Sequence, residues 1–104
     1  MKIGYTTGVF DLFHIGHLNI LKRARAQCDY LIVGVTTDEL CYSRKKKYPV
    51  INEKDRMEIV RSIRFVDKVV PQTTMDKAQA VRDFGVGVVF VGSDWKGTEH
   101  KALT

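Results

Sequence analysis

Residues 6–19 read TTGVFDLFHIGHLN and form the most informative stretch of this 104-residue sequence. The stretch follows a short apolar segment, residues 2–6, and leads into an amphipathic pattern over residues 16–27. Gly8 permits a turn after the predicted strand, and Gly16 permits a close approach of the backbone to a ligand. The N–H groups at a helix N-terminus are unpaired and carry partial positive charge. The order of strand, loop and helix therefore predicts a cradle for the phosphates of a nucleoside triphosphate.

Two histidines, His14 and His17, lie three residues apart at the start of the predicted helix. Residues at this spacing share a helix face, so we expect both imidazoles to project to one side and to donate to phosphate oxygens. A single histidine at a helix start is more often a cap or a packing residue, but the complete pattern of Gly-x-Phe-Asp and His-x-Gly-His favours a site. Asp11 fits a turn-forming role and a site role equally well. Phe10 and Phe13 are expected to pack.

Apolar and amphipathic segments alternate along the whole chain. The predicted strands are residues 2–6, 30–35, 66–70 and 86–91, and the predicted helices are residues 16–27, 53–64 and 75–84. Nearly continuous apolar runs suit parallel strands that are covered on both faces, so the pattern predicts an α/β fold with a Rossmann-like, doubly wound parallel sheet. Ligands bind such sheets at the carboxyl ends of the strands, where residues 6–19 lie. The length suits a single domain, residues 1–104.

The net charge of +5 has a local origin. Four of the 17 basic residues form one run, residues 44–47, and the others nearly balance the 12 acidic residues. We expect residues 41–51, which contain this run, to be a mobile loop that meets a few phosphates, and we expect no nucleic-acid partner. No apolar run is long enough to cross a bilayer, so no membrane partner is expected. Cys28 and Cys41 form no CxxC pair and are typical of free thiols in a reducing cytoplasm.

Residues 8–17, GVFDLFHIGH, resemble the first signature of the cytidylyltransferase-like nucleotidyltransferases, with the strongest likeness to small bacterial glycerol-3-phosphate and phosphocholine cytidylyltransferases. The likeness continues through residues 36–39, the basic run ending at Lys47, Arg56, and residues 64–67 and 91–97. It implies transfer of CMP from CTP to a phosphorylated alcohol with release of pyrophosphate. Mg²⁺ is expected with the nucleotide because the charge of a triphosphate must be neutralised. The free thiols indicate a cytoplasmic location, and the family likeness, together with an apolar sheet edge, indicates a homodimer.

The resemblance further implies a role for individual residues. His14, His17 and Lys47 would assist transfer at the α-phosphate. The nucleotide would be held by Gly8, Val9, Phe10, His14, Ile15, Gly16, His17, Lys47, Asp94 and Trp95. The phosphorylated acceptor would be bound by Asp11, Lys45 and Arg56, and a basic residue near a helix start, where it opposes the helix dipole, favours a special role for Arg56. No residue is assigned as a metal ligand.

The sequence departs from the family pattern at its C-terminal end. The family continues with a fifth strand and a second signature near Arg-Thr-x-Gly-x-Ser-Thr-Thr, whereas residues 99–104 read EHKALT. Residues 86–91 are therefore expected to form an apolar sheet edge. Three interpretations stay open: a cytidylyltransferase, a nucleotide-binding or dimerising remnant without catalysis, and an adenylyltransferase that uses ATP. The acceptor is open among glycerol 3-phosphate, ribitol 5-phosphate and phosphocholine.

Overall fold

Four strands and four helices lie within residues 1–90, the part of the chain that the computed structural model describes. The elements are β1 (Ile3–Gly8), α1 (Ile15–Arg25), β2 (Tyr30–Thr36), α2 (Asp38–Lys45), α3 (Glu53–Arg61), β3 (Lys68–Gln72), α4 (Ala78–Phe84) and β4 (Val88–Phe90). All strand pairs are parallel, and the strand order is β3-β2-β1-β4. The predicted Rossmann-like α/β sheet is thus confirmed. The expected absence of a fifth strand concerns residues outside the described part.

The sheet is covered on both faces, as a doubly wound fold requires. One core cluster joins Leu21 and Ala24 of α1 and Val60 of α3 to strand residues such as Leu31 and Val33. The opposite face carries a second cluster around Tyr5, Ile32 and Val89, against which Ala80, Val81 and Phe84 pack. Because the alternate residues of each strand point to opposite faces, the continuous apolar runs of β2 and β4 contribute to both clusters.

The register brings the carboxyl ends of β1 and β2 together. Ile3 lies opposite Tyr30 and Gly8 opposite Val35, while Thr6 lies opposite Phe90 of β4. From β1 the chain adds β2 and β3 on one side and then crosses back to add β4 on the other side. Such a reversal of strand order is the usual position of a ligand site in this kind of fold. The loop from β1 to α1 leaves the sheet at this point.

The prediction of a loop over residues 41–51 is wrong for residues 41–45, which belong to α2. Thr37 caps this helix, since its hydroxyl oxygen accepts a hydrogen bond from the Leu40 backbone N–H at 3.1 Å. Asp38 and Glu39 in the first turn favour the helix dipole. The start of α3 and the end of α4 lie where they were predicted, and the other helix boundaries differ from the predicted ones by one to three residues.

The two cysteines are free thiols, and the described helices are short. Cys28 and Cys41 are both buried and form no disulfide. Burial raises the pKa of the Cys28 thiol above its ordinary value, so this thiol is protonated at neutral pH. Within residues 1–90, none of the helices is long and apolar enough to span a membrane.

Candidate active site

The loop between β1 and α1 contains two residues with left-handed backbone conformation. Phe10 has a φ of 54° and Leu12 a φ of 51°, on either side of Asp11. Non-glycine residues in this region cost about 1 kcal/mol each, so the surrounding structure must hold them there. Phe10 is only 5% exposed and belongs to the core cluster beneath α1 and α3. Its burial fixes one end of the turn.

Asp11, in the middle of this turn, binds a distant part of the chain. Its two carboxylate oxygens accept hydrogen bonds from the backbone N–H groups of Val50 at 2.7 Å and Ile51 at 2.9 Å. Burial by itself would raise the pKa of Asp11, but these N–H donors and the charge of Arg56 outweigh it and lower the pKa. The ionised carboxylate thus joins the loop after β1 to the segment before α3. Its acceptor-binding role stays a prediction.

The two histidines cap the N-terminus of α1. His14 is the N-cap residue, and its Nδ1 accepts a hydrogen bond from the Gly16 backbone N–H at 3.0 Å. His17 is the third helical residue, and its Nδ1 accepts from the His14 backbone N–H at 3.1 Å. This is the reciprocal arrangement of a capping box, with imidazoles in the places usually taken by Ser or Thr and by Glu or Gln. The ring centroids lie 4.0 Å apart, on one side of the helix as the spacing predicts.

This capping fixes the protonation of both rings. A ring nitrogen that accepts a hydrogen bond carries no proton, so in each neutral imidazole the proton is on Nε2. Burial lowers the pKa of His17, and the nearby charge of His14 lowers it further, against an opposing effect of Asp11. His17 is therefore neutral at pH 7. Among the described residues neither Nε2 has a hydrogen-bond partner, so both N–H groups are available to a ligand.

A cavity of about 630 Å³ lies in front of the two histidines. It is lined by nine of the residues that the sequence predicted for the site: Gly8, Val9, Phe10, Asp11, His14, Gly16, His17, Lys45 and Lys47. Ile15 is 68% exposed and Arg56 is buried, and neither lines the cavity. Asp94 and Trp95 lie outside the described residues.

Further lining residues were not predicted from the sequence. Asn19, Ile20 and Arg23 lie three, four and seven residues after the predicted Gly16 along α1 and share its cavity face. Helical periodicity, extended from the histidines, could have identified them. Cys41, Tyr48 and Pro49 also line the cavity, but their positions depend on how the chain folds after α2, for which the sequence has no local signal.

Arg56 lies beneath the site, fully buried. Its Nε donates to the Ile51 carbonyl at 2.7 Å, and its Nη1 donates to the carbonyls of Val9 at 2.8 Å and Thr36 at 2.7 Å. Its Nη2 donates to the Asp38 carboxylate at 2.6 Å. These contacts join the carboxyl ends of β1 and β2 to the starts of α2 and α3, so Arg56 has a positioning role in the structure. Acceptor binding by Arg56 stays a prediction.

Asp38 also connects the first residues of α2 and α3 to one another. The Asp38 backbone N–H donates to the Glu53 carboxylate at 2.8 Å, and the Glu53 backbone N–H donates to the Asp38 carboxylate at 3.3 Å. Each side chain thereby satisfies an unpaired N–H of the other helix. The two helices are fixed at the edge of the sheet that carries the cavity.

The charges around the cavity favour an anionic ligand. Arg23, Lys45 and Lys47 line it together with the two imidazole donors. Asp11 is the only carboxylate among the described lining residues, and its oxygens accept the two backbone hydrogen bonds given above. Phosphate groups match this arrangement, since lysine and neutral imidazole N–H groups both donate to phosphate oxygens. Within residues 1–90, no three carboxylate, imidazole or thiol groups lie close enough together to hold a metal ion.

Comparison with known proteins identifies the family of this chain. Residues 5–101 match the profile of the family described as Cytidylyltransferase-like. Over 98 residues the chain is 39% identical to a glycerol-3-phosphate cytidylyltransferase of Bacillus subtilis. The alignment covers 93% of this chain and 75% of that relative. Over 95 residues it is 37% identical to a probable ethanolamine-phosphate cytidylyltransferase of Encephalitozoon cuniculi, covering 91% of this chain and 30% of that relative.

A solved structure has the same fold. The lipopolysaccharide core biosynthesis protein of Thermoplasma volcanium superposes with a TM-score of 0.82 at 28% sequence identity. The superposition covers 92% of this chain and 78% of the other. The fold described above is therefore shared with a protein of known structure.

Proposed function

This chain belongs to the cytidylyltransferase-like family, and from that premise we propose that it transfers CMP from CTP to a small phosphorylated alcohol. The observation that supports this proposal most strongly is the capping of α1 by His14 and His17. Because both Nδ1 atoms accept backbone hydrogen bonds, both Nε2–H groups are donors, and they adjoin a cavity that Lys45 and Lys47 also line. Donors in a fixed position are what a developing negative charge at phosphorus requires.

In the proposed reaction a phosphate oxygen of the acceptor attacks the α-phosphorus of CTP. A new P–O bond forms to the acceptor, the bond from the α-phosphorus to the bridging oxygen breaks, and pyrophosphate leaves with that electron pair. No proton has to be removed from an ionised phosphate nucleophile, so the histidines act as hydrogen-bond donors to the phosphoryl oxygens. The chain thus contributes positioning and charge neutralisation, the usual components of catalysis in phosphoryl transfer.

The basic residues divide between the two substrates in this proposal. Lys47 contacts the triphosphate, and Lys45 contacts the phosphate of the acceptor. Both side chains line the cavity, as does Arg23 on α1. Since residues 1–90 contain no cluster of three metal-ligating groups, we assign no protein ligand to Mg²⁺. We expect the ion to enter with the nucleotide, bound to its phosphates.

The class of acceptor follows from the same charges. The relatives named above act on glycerol 3-phosphate and ethanolamine phosphate by their names, and both compounds present a phosphate for attack. Asp11 is the only carboxylate among the described lining residues, and an ammonium group would have to share it with two backbone N–H donors. This favours an acceptor with a neutral alcohol, such as glycerol 3-phosphate, over phosphocholine or ethanolamine phosphate.

The proposal is tested by incubating the chain with Mg²⁺, CTP and each acceptor in turn, with release of pyrophosphate and mass spectrometry of the product as readouts. CDP-glycerol formed from CTP and glycerol 3-phosphate, with little turnover of ethanolamine phosphate, is the expected result. Product from ATP in preference to CTP would favour the adenylyltransferase interpretation. Nucleotide binding without product from any acceptor would favour the non-catalytic one.

We further propose a homodimer and a cytoplasmic location. In the described part of the chain β4 pairs only with β1, and an apolar edge strand of this kind is commonly covered by another chain. Light scattering at micromolar concentration measures the mass directly. A strict monomer would contradict the dimer while leaving the proposed reaction unaffected.

A further inference from the structure

Lys47 lies in a part of the chain that folds back on α2. The helix ends at Lys45, and Lys46 adopts the left-handed conformation with a φ of 59°. The Lys46 backbone N–H donates to the Tyr42 carbonyl at 2.7 Å, which closes the last turn. The chain then reverses, and we refer to residues 46–48 as the return segment.

Two side chains of α2 contact the return segment. The Tyr42 ring stacks on the Tyr48 ring, with a centroid distance of 4.6 Å and an interplanar angle of 24°. The Cys41 thiol donates to the Lys47 carbonyl at 3.6 Å, a weak hydrogen bond. Tyr48, which follows Lys47, is thus held by an aromatic contact, and the backbone carbonyl of Lys47 accepts from a side chain of the helix.

The next anchor lies just beyond the return segment. After Tyr48 comes Pro49, whose ring restricts φ, and then the N–H groups of Val50 and Ile51 donate to Asp11. Lys47 therefore lies between an attachment to α2 and an attachment to the loop after β1. Pro49 is the single residue between the stacked tyrosine and the first of the two N–H groups that Asp11 binds.

Charge repulsion opposes this fold-back. Arg44, Lys45, Lys46 and Lys47 are consecutive, and a run of like charges favours an extended, mobile chain. The fold-back nevertheless places the like charges of Lys45 and Lys47 at one cavity. The stacked rings supply an uncharged contact that offsets repulsion within the run.

The exposure of the two tyrosines indicates that core packing does not explain the stack. Tyr42 is 43% exposed and Tyr48 is 62% exposed, and neither belongs to a core cluster. Tyr48 lines the cavity, whereas Tyr42 does not. The side chain of Tyr42 thus contacts the segment that carries Lys47 without itself reaching the cavity.

We infer that Tyr42 is a positioning residue for the triphosphate group of the bound nucleotide. By stacking on Tyr48 it holds the return segment so that Lys47 reaches the β- and γ-phosphates. The inference rests on the proposed function, because it assigns the triphosphate to Lys47. It predicts that loss of the stack weakens the binding of CTP but leaves the binding of CMP, which lacks those two phosphates, unchanged.

The test compares Tyr42→Ala, Tyr42→Phe and Ile59→Ala in the full chain by calorimetric titration with CTP and with CMP. Ile59 is a matched control, because it is 41% exposed on α3 and does not line the cavity. We expect Tyr42→Ala to weaken CTP binding about three- to tenfold, the range that corresponds to an aromatic pair, with CMP binding unchanged. Tyr42→Phe keeps the stack and should bind CTP as the wild type does, and so should Ile59→Ala.

Backbone hydrogen exchange of the ligand-free proteins adds a readout that needs no nucleotide. The amides of residues 46–51 should exchange faster in Tyr42→Ala and at the wild-type rate in Tyr42→Phe. Wild-type CTP affinity in Tyr42→Ala would overturn the inference, as would an equal loss of CTP and CMP binding or a loss in Tyr42→Phe as large as in Tyr42→Ala. If the wild-type chain bound neither nucleotide, the proposed function would be overturned as well, so the two failures are distinguishable.

Discussion

The Nδ1 atom of His17 accepts a hydrogen bond from the backbone N–H of His14 at 3.1 Å, and the Nδ1 of His14 in turn accepts from Gly16. Helix capping and presentation of the Nε2–H donors therefore depend on the same two rings. Protonation of the His17 Nδ1 would convert an acceptor into a donor and break this hydrogen bond of the cap. The chemistry of the site and the stability of α1 are therefore coupled through the charge state of His17.

Replacement of His14 separates the cap from the chemistry. Asn is a favourable N-cap residue, so His14→Asn should keep the stability of the wild type, whereas His14→Ala should lose about 1 kcal/mol. Both variants lack the Nε2–H donor and should lose about 10²–10³ in the rate of CMP transfer. Urea denaturation and the pyrophosphate assay measure the two effects. Turnover like that of the wild type in His14→Asn would contradict the role assigned to this imidazole.

The stability of the protein should fall at acidic pH because of His17. Its pKa is lowered in the folded protein, first by burial and then by His14, so in the window between this lowered pKa and the unfolded value of about 6.5 the unfolded chain binds more protons. The free energy of unfolding therefore decreases as the pH falls through that window. His17→Gln keeps a capping-box residue that does not titrate, so its melting temperature should change less between pH 7 and pH 5. An equal pH dependence in both proteins would contradict this explanation.

Asp11 should affect the binding of CTP through Val50 and Ile51, whose backbone N–H groups it accepts from. Asp11→Asn loses one of two acceptor oxygens and the negative charge, and we expect it to destabilise the protein by about 1 kcal/mol, since the group is partly exposed. CTP binding should weaken because the return segment loses its second attachment. Asp76→Asn, which alters a carboxylate bonded to the Ala78 N–H outside the cavity, is the matched control. A change in the KM of the acceptor alone would instead support acceptor binding by Asp11.

Arg56 should be the most sensitive position in the site for stability. A lysine cannot replace the guanidinium contacts to three carbonyls and the Asp38 carboxylate. Arg56→Lys leaves buried acceptors unpaired and should lower the free energy of unfolding by about 3 kcal/mol. Arg61→Lys alters an exposed ion pair with Glu58 and should change the free energy of unfolding by less than about 0.5 kcal/mol. Similar urea midpoints for the two variants would contradict the positioning role.

The parts of the fold that depend on local pattern could be predicted from the sequence. The apolar runs of β2 and β4 predict buried parallel strands, and the residues from Gly8 to His17 predict the strand, loop and helix of the site. The helix α2 was missed because its eight residues are mostly polar and its apolar periodicity is weak. The cap at Thr37, with Asp38 and Glu39 after it, was the signal that could have identified it.

The contacts that organise the site depend on residues far apart in sequence. Asp11 and Ile51 are separated by 40 positions, and Arg56 and Val9 by 47. Sequence periodicity reports only local neighbours, so it predicts that Asp11 and Arg56 are unusual without predicting which groups they bind. The stacking of Tyr42 and Tyr48 depends likewise on the left-handed turn at Lys46, a conformation that lysine seldom adopts.

In the proposed function, the imidazole-capped start of α1 binds the phosphates of CTP. Calorimetric titration of the wild-type chain and of His14→Asn with CTP and ATP, in the presence of Mg²⁺, measures this binding. We predict one site on the wild type that binds CTP more tightly than ATP, and a marked loss of CTP affinity in His14→Asn while its unfolding curve matches that of the wild type. No CTP binding by the folded wild-type chain, or equal CTP affinity in His14→Asn, would contradict this role of the α1 N-terminus.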